Sequence, residues 1–476
     1  MKPMPRSVDI AVLGGGPAGS AVAIRSAQLG HKVCVIERSC GPGHSRFSQS
    51  LAPSILPLFD LLGVRDAVEA AGFPRSPGVL ALWGDNSPHF RNFEDGSGFH
   101  IERGAFDAIL RSAATRLGAV VLLRASVLAV ERTPERLGAW TVRLAMGPKR
   151  EEIRARILVD ASGRRPAVPV ARTRCSQPLI AILGNWRAQN TGKHSIIEAG
   201  TNRWYWAGPR RDGTLTAAVF LDPRSRLLAK SDKLTEAYRS LIGESQMLRE
   251  LISELLPPVI ACDAASRSVS DPLDSDLIRV GEAAATFDPL SSQGVQNALT
   301  AGLQAAVVVN TRLRRPDRAA AADAFYRERH AEMIAHSSKN NREIYGVAAA
   351  RRTATFWLNR SSLQSKSDPV PFARNASPLP DPRARLRLAN GVSVIRVAVI
   401  HDDLAEFAPA IARSGPERPV AFIAGVPIGD LAARLVSDAS AQEVVRSWSS
   451  VVGEVAAFKA RAWMWHSGMI KADQAH

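Results

Sequence analysis

A chain of 476 residues, 46% of them hydrophobic, is long enough for two or three domains and is neither disordered nor fibrous in composition. Its 61 basic residues (51 arginines, 10 lysines) against 45 acidic ones leave a net charge of +16, which points to an acidic partner or an anionic cofactor. No nucleic-acid module or compact basic tract accompanies that charge, and no apolar run reaches membrane-spanning length, so neither nucleic acid nor membrane is expected as a partner.

The first strand starts by Val8, which leaves no room for a signal peptide. The four cysteines, Cys34, Cys40, Cys175 and Cys262, form no C-x-x-C, so no metal site is expected, and usage this sparse suits a reducing compartment. The expectation is a cytoplasmic protein. Residues 8–37 read as a βαβ unit. Val8, Ile10, Val12 and Leu13 are a buried strand, 20–29 a helix ending at Gly30, and 33–36 a second strand ending on Glu37. Between strand and helix, Gly14-Gly15-Gly16-Pro17-Ala18-Gly19 fits G-x-G-x-x-G. In that fingerprint Gly14 permits the turn, Gly16 lets a pyrophosphate approach, and Gly19 lets helix and strand pack. The helix N-terminus offers free N–H groups to the pyrophosphate, and Glu37 lies where an acid binds a ribose hydroxyl.

Residues 51–62 read as a helix closed by Gly63, and 65–71 continues helical. A stretch of short strands and loops, 73–99, carries Trp83, Phe90 and Phe93. Then follow a helix (101–117), strands at 120–130, 140–144 and 157–160, and the turn Ala161-Ser162-Gly163-Arg164. Residues 179–186, 195–199, 204–207 and 214–221 read as antiparallel strands of a second sheet. Residues 231–256 read as a helical pair broken near Gly243, 277–280 as a buried strand, and 294–311 and 319–335 as helices. Five prolines in 361–382 mark a linker. Beyond it the pattern is strand (392–400), helix (404–413), strand (420–423), then helices to Met469, including 442–465 with Trp448, Trp463 and Trp465. The implied division is 1–360, a cofactor domain with a substrate domain inserted at about 75–100 and 178–265; the linker; and a C-terminal domain, 383–476.

Four segments together carry a resemblance: Gly14–Gly19 with Glu37; Arg103-x-x-Phe106-Asp107; Val159-Asp160-Ala161-Ser162-Gly163-Arg164; and Gly281-Glu282-Ala283 through Asp288-Pro289-Leu290-Ser291-Ser292-Gln293-Gly294. Over roughly 7–350 the chain resembles FAD-dependent monooxygenases of the hydroxybenzoate hydroxylase fold, in the branch of tryptophan halogenases and geranylgeranyl reductases. The fold implied is α/β: a Rossmann-like, GR2-type FAD domain, an inserted antiparallel-sheet substrate domain and a small α+β C-terminal domain. The resemblance implies FAD as cofactor, held at the pyrophosphate by Gly14, Gly16, Ala18 and Gly19 and at the ribose by Glu37 and Arg38. Arg46 would approach phosphate, Arg103 would sit by the ribityl chain, and Asp160 would support the adenine half. Gly281, Glu282 and Asp288 would run along the ribityl and pyrophosphate. Gln293 and Gly294 would open a helix whose N-terminus stabilises negative charge on the flavin. The chain departs from the family in having Gly281-Glu282 for Gly-Asp and Ser48-Gln49-Ser50 for Gly-Glu-Ser.

The family's chemistry runs through a flavin C4a-hydroperoxide, and four outcomes stay open: hydroxylation, halogenation, double-bond reduction as in geranylgeranyl reductases, or FAD bound for folding alone in an assembly factor. The halogenases resemble one another in a Trp-x-Trp-x-Ile-Pro segment and an active-site lysine. Here Trp204-Tyr205-Trp206-Ala207-Gly208-Pro209 has Gly208 for the isoleucine, and no lysine occurs from 33 to 148, so hydroxylation is the expectation. Trp204 and Trp206 fall on one face of a strand, either as core or as a substrate wall. His44, His89 and His100 are loop residues that could serve as a base, though each alone fits a surface or hydrogen-bonded histidine as well, and no catalytic residue is assigned. No second G-x-G-x-x-G exists, so electrons come from external NAD(P)H or a separate flavin reductase, a possible donor protein. The added C-terminal domain fits an ordinary dimerisation or lid domain equally well, but the whole architecture resembles flavoprotein monooxygenases of tryptophylquinone maturation, as in quinohemoprotein amine dehydrogenase biosynthesis. That resemblance implies a protein- or peptide-bound tryptophan as substrate, on a partner the basic surface would attract.

Overall fold

In a computed structural model the chain is described over residues 5–39, 47–132, 140–225, 233–361, 378–415, 417–435 and 439–472. It divides into two units, Met1–Asn310 with Tyr326–Leu363, and Thr311–Phe325 with Gln364–His476. The first holds two large sheets. One has strands Leu273–Asp274, Leu277–Arg279, Lys149–Asp160, Ser7–Leu13, Val33–Glu37 and Val120–Leu123 in that order. From Leu277–Arg279 onward they run parallel, with Ala11 opposite both Leu158 and Cys34. Parallel strands of this kind are covered on both faces, which is why Ile10–Leu13 and Val33–Ile36 are apolar without alternation and fully buried. An antiparallel meander, Ala125–Arg132 and Trp140–Met146, extends the Lys149–Asp160 strand. Arg124, with φ of 55°, breaks the strand expected over 120–130 into two.

The second sheet has seven strands, in the order Ile252–Asp263, Ile180–Ala188, Leu215–Leu221, Arg203–Pro209, Ser195–Ala199, Gly78–Leu82, His89–Asn92. All neighbours are antiparallel except Ser195–Ala199 and Gly78–Leu82, which pair in parallel. Its first strand corrects the reading of 231–256 as two helices. Only Leu234–Gly243 is helical, and Ile252–Asp263 is a strand that carries Pro257-Pro258 at the sheet edge. Proline is tolerated at an edge, where a missing N–H breaks no ladder. The helix expected over 51–62 is shorter as well. Ser48–Leu51 is a strand paired with Gly98–Glu102, and the helix proper is Leu56–Leu62, ended by Gly63 at φ 64°. The helix expected at 319–335 runs on as Ala319–Ala349.

In the second unit, 404–413 is a strand and not a helix. Leu404–Arg413 pairs with Val392–His401 across Asp402 and Asp403, whose φ values are 49° and 58°. Two consecutive positive φ angles make the two-residue hairpin loop that matches strand twist, and Pro409 would have broken a helix in any case. The expected strand 420–423 is reduced to the isolated bridges Ile411 to Val420 and Ile423 to Val426. The helix expected over 442–465 is two, Ala441–Val452 and Glu454–His466, divided at Gly453 with φ 81°. The first begins with a capping box between Ser440 and Glu443. Trp448, Met464, Leu431 and Ile411 meet in the core of this unit. Of the linker expected over 361–382, residues 362–377 lie outside the described residues. No helix, among the described residues, is long and apolar enough to cross a membrane.

Candidate functional site

The first strand, its following turn and the helix Pro17–Gln28 build one end of a cavity of about 690 Å³, a size suited to a large cofactor with room beside it. Gly14 has φ of 106°, and a Cβ on it would lie 2.4 Å from the Ala161 carbonyl oxygen. A Cβ on Gly19 would lie 2.0 Å from the Gly14 oxygen. Both glycines are therefore demanded by the chain packing against itself. Gly16 is different: its nearest neighbour for a Cβ is Arg103 Nη2 at 3.8 Å, and it borders the cavity. It also caps the helix without a side-chain bond, and the first turn holds no acid. The helix N–H groups and positive dipole end thus face open space that a side chain on Gly16 would fill, which is a cradle for a phosphate group.

Glu37 closes this end. Its carboxylate accepts from Gly15 N at 2.6 Å and Ser39 N at 2.7 Å. Burial alone would raise its pKa, but the Ser39 and Gly15 bonds and the nearby Arg111 charge outweigh it and hold the group below the usual range. Glu37 thus stays ionised, as a ribose acceptor must. Arg111 is a residue the sequence reading missed. It is buried and donates to the Gly15 carbonyl at 3.1 Å, bracing the glycine loop from the helix Arg103–Arg116. Its only sequence signal was an arginine on the inner side of that helix.

Of the expected cofactor residues, Gly14, Gly16, Ala18, Glu37, Arg38, Arg103, Gly281, Glu282, Asp288 and Gly294 border the cavity. Arg103 is held by two bonds of 3.0 Å to Asp107. Gly281, at φ 58°, packs where a Cβ would lie 2.7 Å from Ala18 Cβ. The glutamate that replaces an aspartate at 282 pairs with Arg164 at 3.1 Å. Gly294 opens the helix Gly294–Arg314, and Gln293 stands just before it, off the cavity lining. Arg46 and His44 lie outside the described residues. Asp160 requires a correction: it does not border the cavity. Its oxygens accept from Ser162 N, Ser162 Oγ and Val168 N at 2.5–3.1 Å, so it shapes the loop whose residues Ala161–Arg165 do border it.

The other end of the cavity is apolar and comes from the second sheet. Trp204 and Trp206 both face it, as the two-residue strand period requires. Trp204 stacks on Phe220 with centroids 3.6 Å apart and planes at 8°, and meets Trp83 edge-on at 6.2 Å. Its Nε1 donates to Tyr345 Oη at 3.2 Å, and Tyr345 donates to Asp288 Oδ2 at 2.8 Å. Trp204 is thus both core and cavity wall. The long helix Ala319–Ala349 adds His330 and Met333 to the lining. Neither was expected from sequence, since the cavity gathers them from a helix more than a hundred residues beyond Trp204 and Trp206 in the chain.

Neither described histidine of the three expected candidates borders the cavity. His89 pairs with Asp85 at 3.3 Å. His100 is fully buried; burial, and then the neighbouring His194, push its pKa down to about 3. His100 explains Gly208. A Cβ on Gly208 would lie 2.8 Å from His100 Nδ1 and 2.9 Å from the Trp206 ring. Gly208→Ile is therefore expected to destabilise the protein by about 1–3 kcal/mol through overpacking, read from its denaturant midpoint. An unchanged midpoint would show that the imidazole moves aside without cost. Among the described residues no group of three His, Cys, Asp or Glu side chains could hold a metal ion.

Residues 9–172 match the family described as FAD dependent oxidoreductase. The chain is 29% identical over 376 residues to tryptophan 2-halogenase of Chondromyces crocatus, covering 74% of this chain and 70% of that one. Among solved structures it is similar to CmlS, a flavin-dependent halogenase, with a TM-score of 0.75, 18% identity and coverage of 98% and 96%. It is also similar to QhpG, a peptidyl tryptophan dihydroxylase essential for tryptophylquinone cofactor biogenesis, with a TM-score of 0.72, 24% identity and coverage of 97% and 99%. The glycine cradle, the ionised Glu37 and the bare helix N-terminus fit FAD. The match over residues 9–172 and the relatives' likeness support FAD as the cofactor, and the chain has the fold of the flavin-dependent halogenase CmlS and of QhpG.

Proposed function

We propose that the protein is a monooxygenase that hydroxylates an aromatic group, with a protein- or peptide-bound tryptophan as substrate during maturation of a quinone cofactor. One observation carries the choice of hydroxylation over halogenation: among the described residues, no lysine lines the cavity. Its cations, Arg38, Arg103, Arg164 and Arg165, are guanidinium groups grouped with the cofactor residues, and the end walled by Trp204, Trp206 and Phe220 offers no ammonium to hold hypohalous acid. A flat apolar wall of this kind suits an aromatic ring, stacked or edge-on.

Bound FAD would supply the activation of O2 by its reduced ring. Gly14, Gly16 and Ala18 would hold its pyrophosphate, Glu37 and Arg38 its ribose, and Arg103 and the Gly281–Asp288 segment its ribityl chain. The apolar end orients the aromatic substrate and keeps water from it. The electron donor is NAD(P)H or a separate reductase. Residues 1–360 form the catalytic part with its inserted substrate domain, 361–382 the linker, and 383–476 a module that receives the macromolecular substrate.

The test is the mass of a tryptophan-containing peptide after incubation with the reduced holoenzyme and O2, with and without chloride or bromide. A gain of about 16 or 32 Da independent of halide is expected from oxygen insertion. A halide-dependent gain of about 34 Da, chlorine for hydrogen, would overturn the reading in favour of halogenation.

A further inference from the structure

Asp288 ends the segment placed along the ribityl chain, but its buried carboxylate bonds Tyr345 and its own turn. It borders the cavity yet is only 5% exposed. It caps the short 3-10 turn Pro289–Ser291, with Oδ1 accepting from Leu290 N at 3.1 Å. Its Oδ2 accepts from Tyr345 Oη at 2.8 Å, and Tyr345 in turn accepts from Trp204 Nε1 at 3.2 Å. Backbone bonds fix the residue from two further sides: its N–H donates to Ser266 Oγ at 2.9 Å, and its carbonyl accepts from Asn341 Nδ2 at 3.3 Å. The carboxylate therefore sits at the turn between the cofactor-holding segment and the aromatic wall, two hydrogen bonds from Trp204.

We propose that Asp288 is the proton acceptor for the aromatic substrate, with Tyr345 as the residue that positions it. The assignment rests on the hydroxylase reading above. Once an oxygen atom has been added to a ring carbon, that carbon carries both the new oxygen and its former hydrogen. Restoring aromaticity breaks the C–H bond: the proton passes to the Asp288 carboxylate and the electron pair returns to the ring. The acid then releases the proton to water, so no oxidant or reductant is consumed in the step. A base for this step must be ionised at working pH, lie at the substrate end and be shielded from bulk water. Burial raises the Asp288 pKa to about 6, with the Tyr345 and Leu290 bonds and the charge of Arg360 acting against the rise. A carboxylate with that value is mostly ionised at neutral pH and is a far stronger base than an exposed one. Tyr345 stays protonated because its own burial pushes its pKa well up, so it remains a donor to Asp288 throughout.

The groups that act on Asp288 are few: Tyr345 and Asn341 on the long helix, Ser266 beside the second sheet, Leu290 N on its own turn, and Arg360 on the helix Thr355–Ser361. The experiment follows from that list. Product formation from a tryptophan-containing peptide is measured against pH for the holoenzyme, Asp288→Asn and Tyr345→Phe, beside flavin content and the rate of flavin reduction. In the parent protein, product formation should rise with pH through a limb near 6. Asp288→Asn should lose about 100-fold in product formation, the lower range for removing a general base, and lose the limb. Tyr345→Phe removes a donor that favours the ionised form, so the limb should move up by about one pH unit while activity returns at high pH. A merely structural role for Tyr345 would lower activity at every pH and leave the limb in place. Infrared difference spectra of the holoenzyme between about pH 5 and pH 8 should show a carboxyl band that is absent in Asp288→Asn and shifted in Tyr345→Phe. Product formed with the same pH profile in all three proteins overturns the assignment of Asp288 alone. A parent protein that reoxidises with O2 but never modifies the peptide overturns the hydroxylase reading, and with it the step that needs an acceptor.

Discussion

Gly16→Val is expected to give a folded protein that purifies without flavin. The glycines of the fingerprint separate into two physical kinds, and only one serves the cofactor. A side chain on Gly14 or Gly19 would meet backbone oxygen at 2.4 Å or 2.0 Å and disturb the βαβ unit itself. A side chain on Gly16 meets nothing in the protein closer than 3.8 Å. It would project instead into the space where the pyrophosphate approaches the N–H groups of the helix Pro17–Gln28. The variant should keep its far-ultraviolet circular dichroism and unfold cooperatively, with a Tm below that of the flavin-bound parent because the ligand's contribution is gone. The flavin absorbance near about 450 nm should be lost. Gly19→Val makes the contrast: it should lose stability by about 3 kcal/mol or more, and flavin with it. Retained absorbance in Gly16→Val would remove the cradle from the cofactor site.

The two ends of the cavity differed in how far they could be read from sequence. The cofactor end is written in local signals. The spacing of Gly14, Gly16 and Gly19, the apolar runs and Glu37 all lie within thirty residues, and each has a fixed geometric reason. The substrate end is non-local. Trp204 and Asp288 fall in recognisable segments, but Phe220 and Tyr345 are ordinary in sequence, and the four become a hydrogen-bonded and stacked group only where the second sheet meets the long helix. Asp160 was misplaced because a family motif gives proximity to a cofactor, not the direction of a side chain. Its carboxylate faces its own loop. The two misread segments have different causes. In 404–413, alanine-rich composition suggested a helix, but the alternation that buries Ala408 and Ala410 and the Asp402-Asp403 turn belong to a hairpin. Ile252–Asp263 alternates weakly because it is an edge strand with much of its length exposed.

Removing the chain from residue 364 onward is expected to leave FAD in place while turnover of a macromolecular substrate falls about 100-fold, the lower end of what a second binding site contributes. Every residue that borders the cavity belongs to the first unit, from Leu13 to Met333, so the cofactor's groups survive the cut. The second unit, however, also takes in Thr311–Phe325, at the ends of the two long helices. There Thr311 Oγ1 accepts from Ala405 N at 2.8 Å, and Arg318 pairs with Glu406 at 2.6 Å. Truncation strips both partners. The Arg312–Asp323 pair at 2.5 Å still ties the two helices together. The truncated protein should therefore lose a few degrees in Tm, about the effect of one or two modest contacts, and remain folded. From Arg374 onward the sequence carries 12 basic and 10 acidic residues, so nearly all of the +16 lies in the part that remains. If that basic part also meets an acidic partner, the residual binding should weaken as salt rises. Flavin content, flavin reduction and peptide modification have to be measured separately. Loss of FAD on truncation would make the tail part of the cofactor fold. Full-rate modification of an intact protein substrate would remove its docking role, and equal rates on a short peptide alone would not, because a short peptide need not reach the second unit.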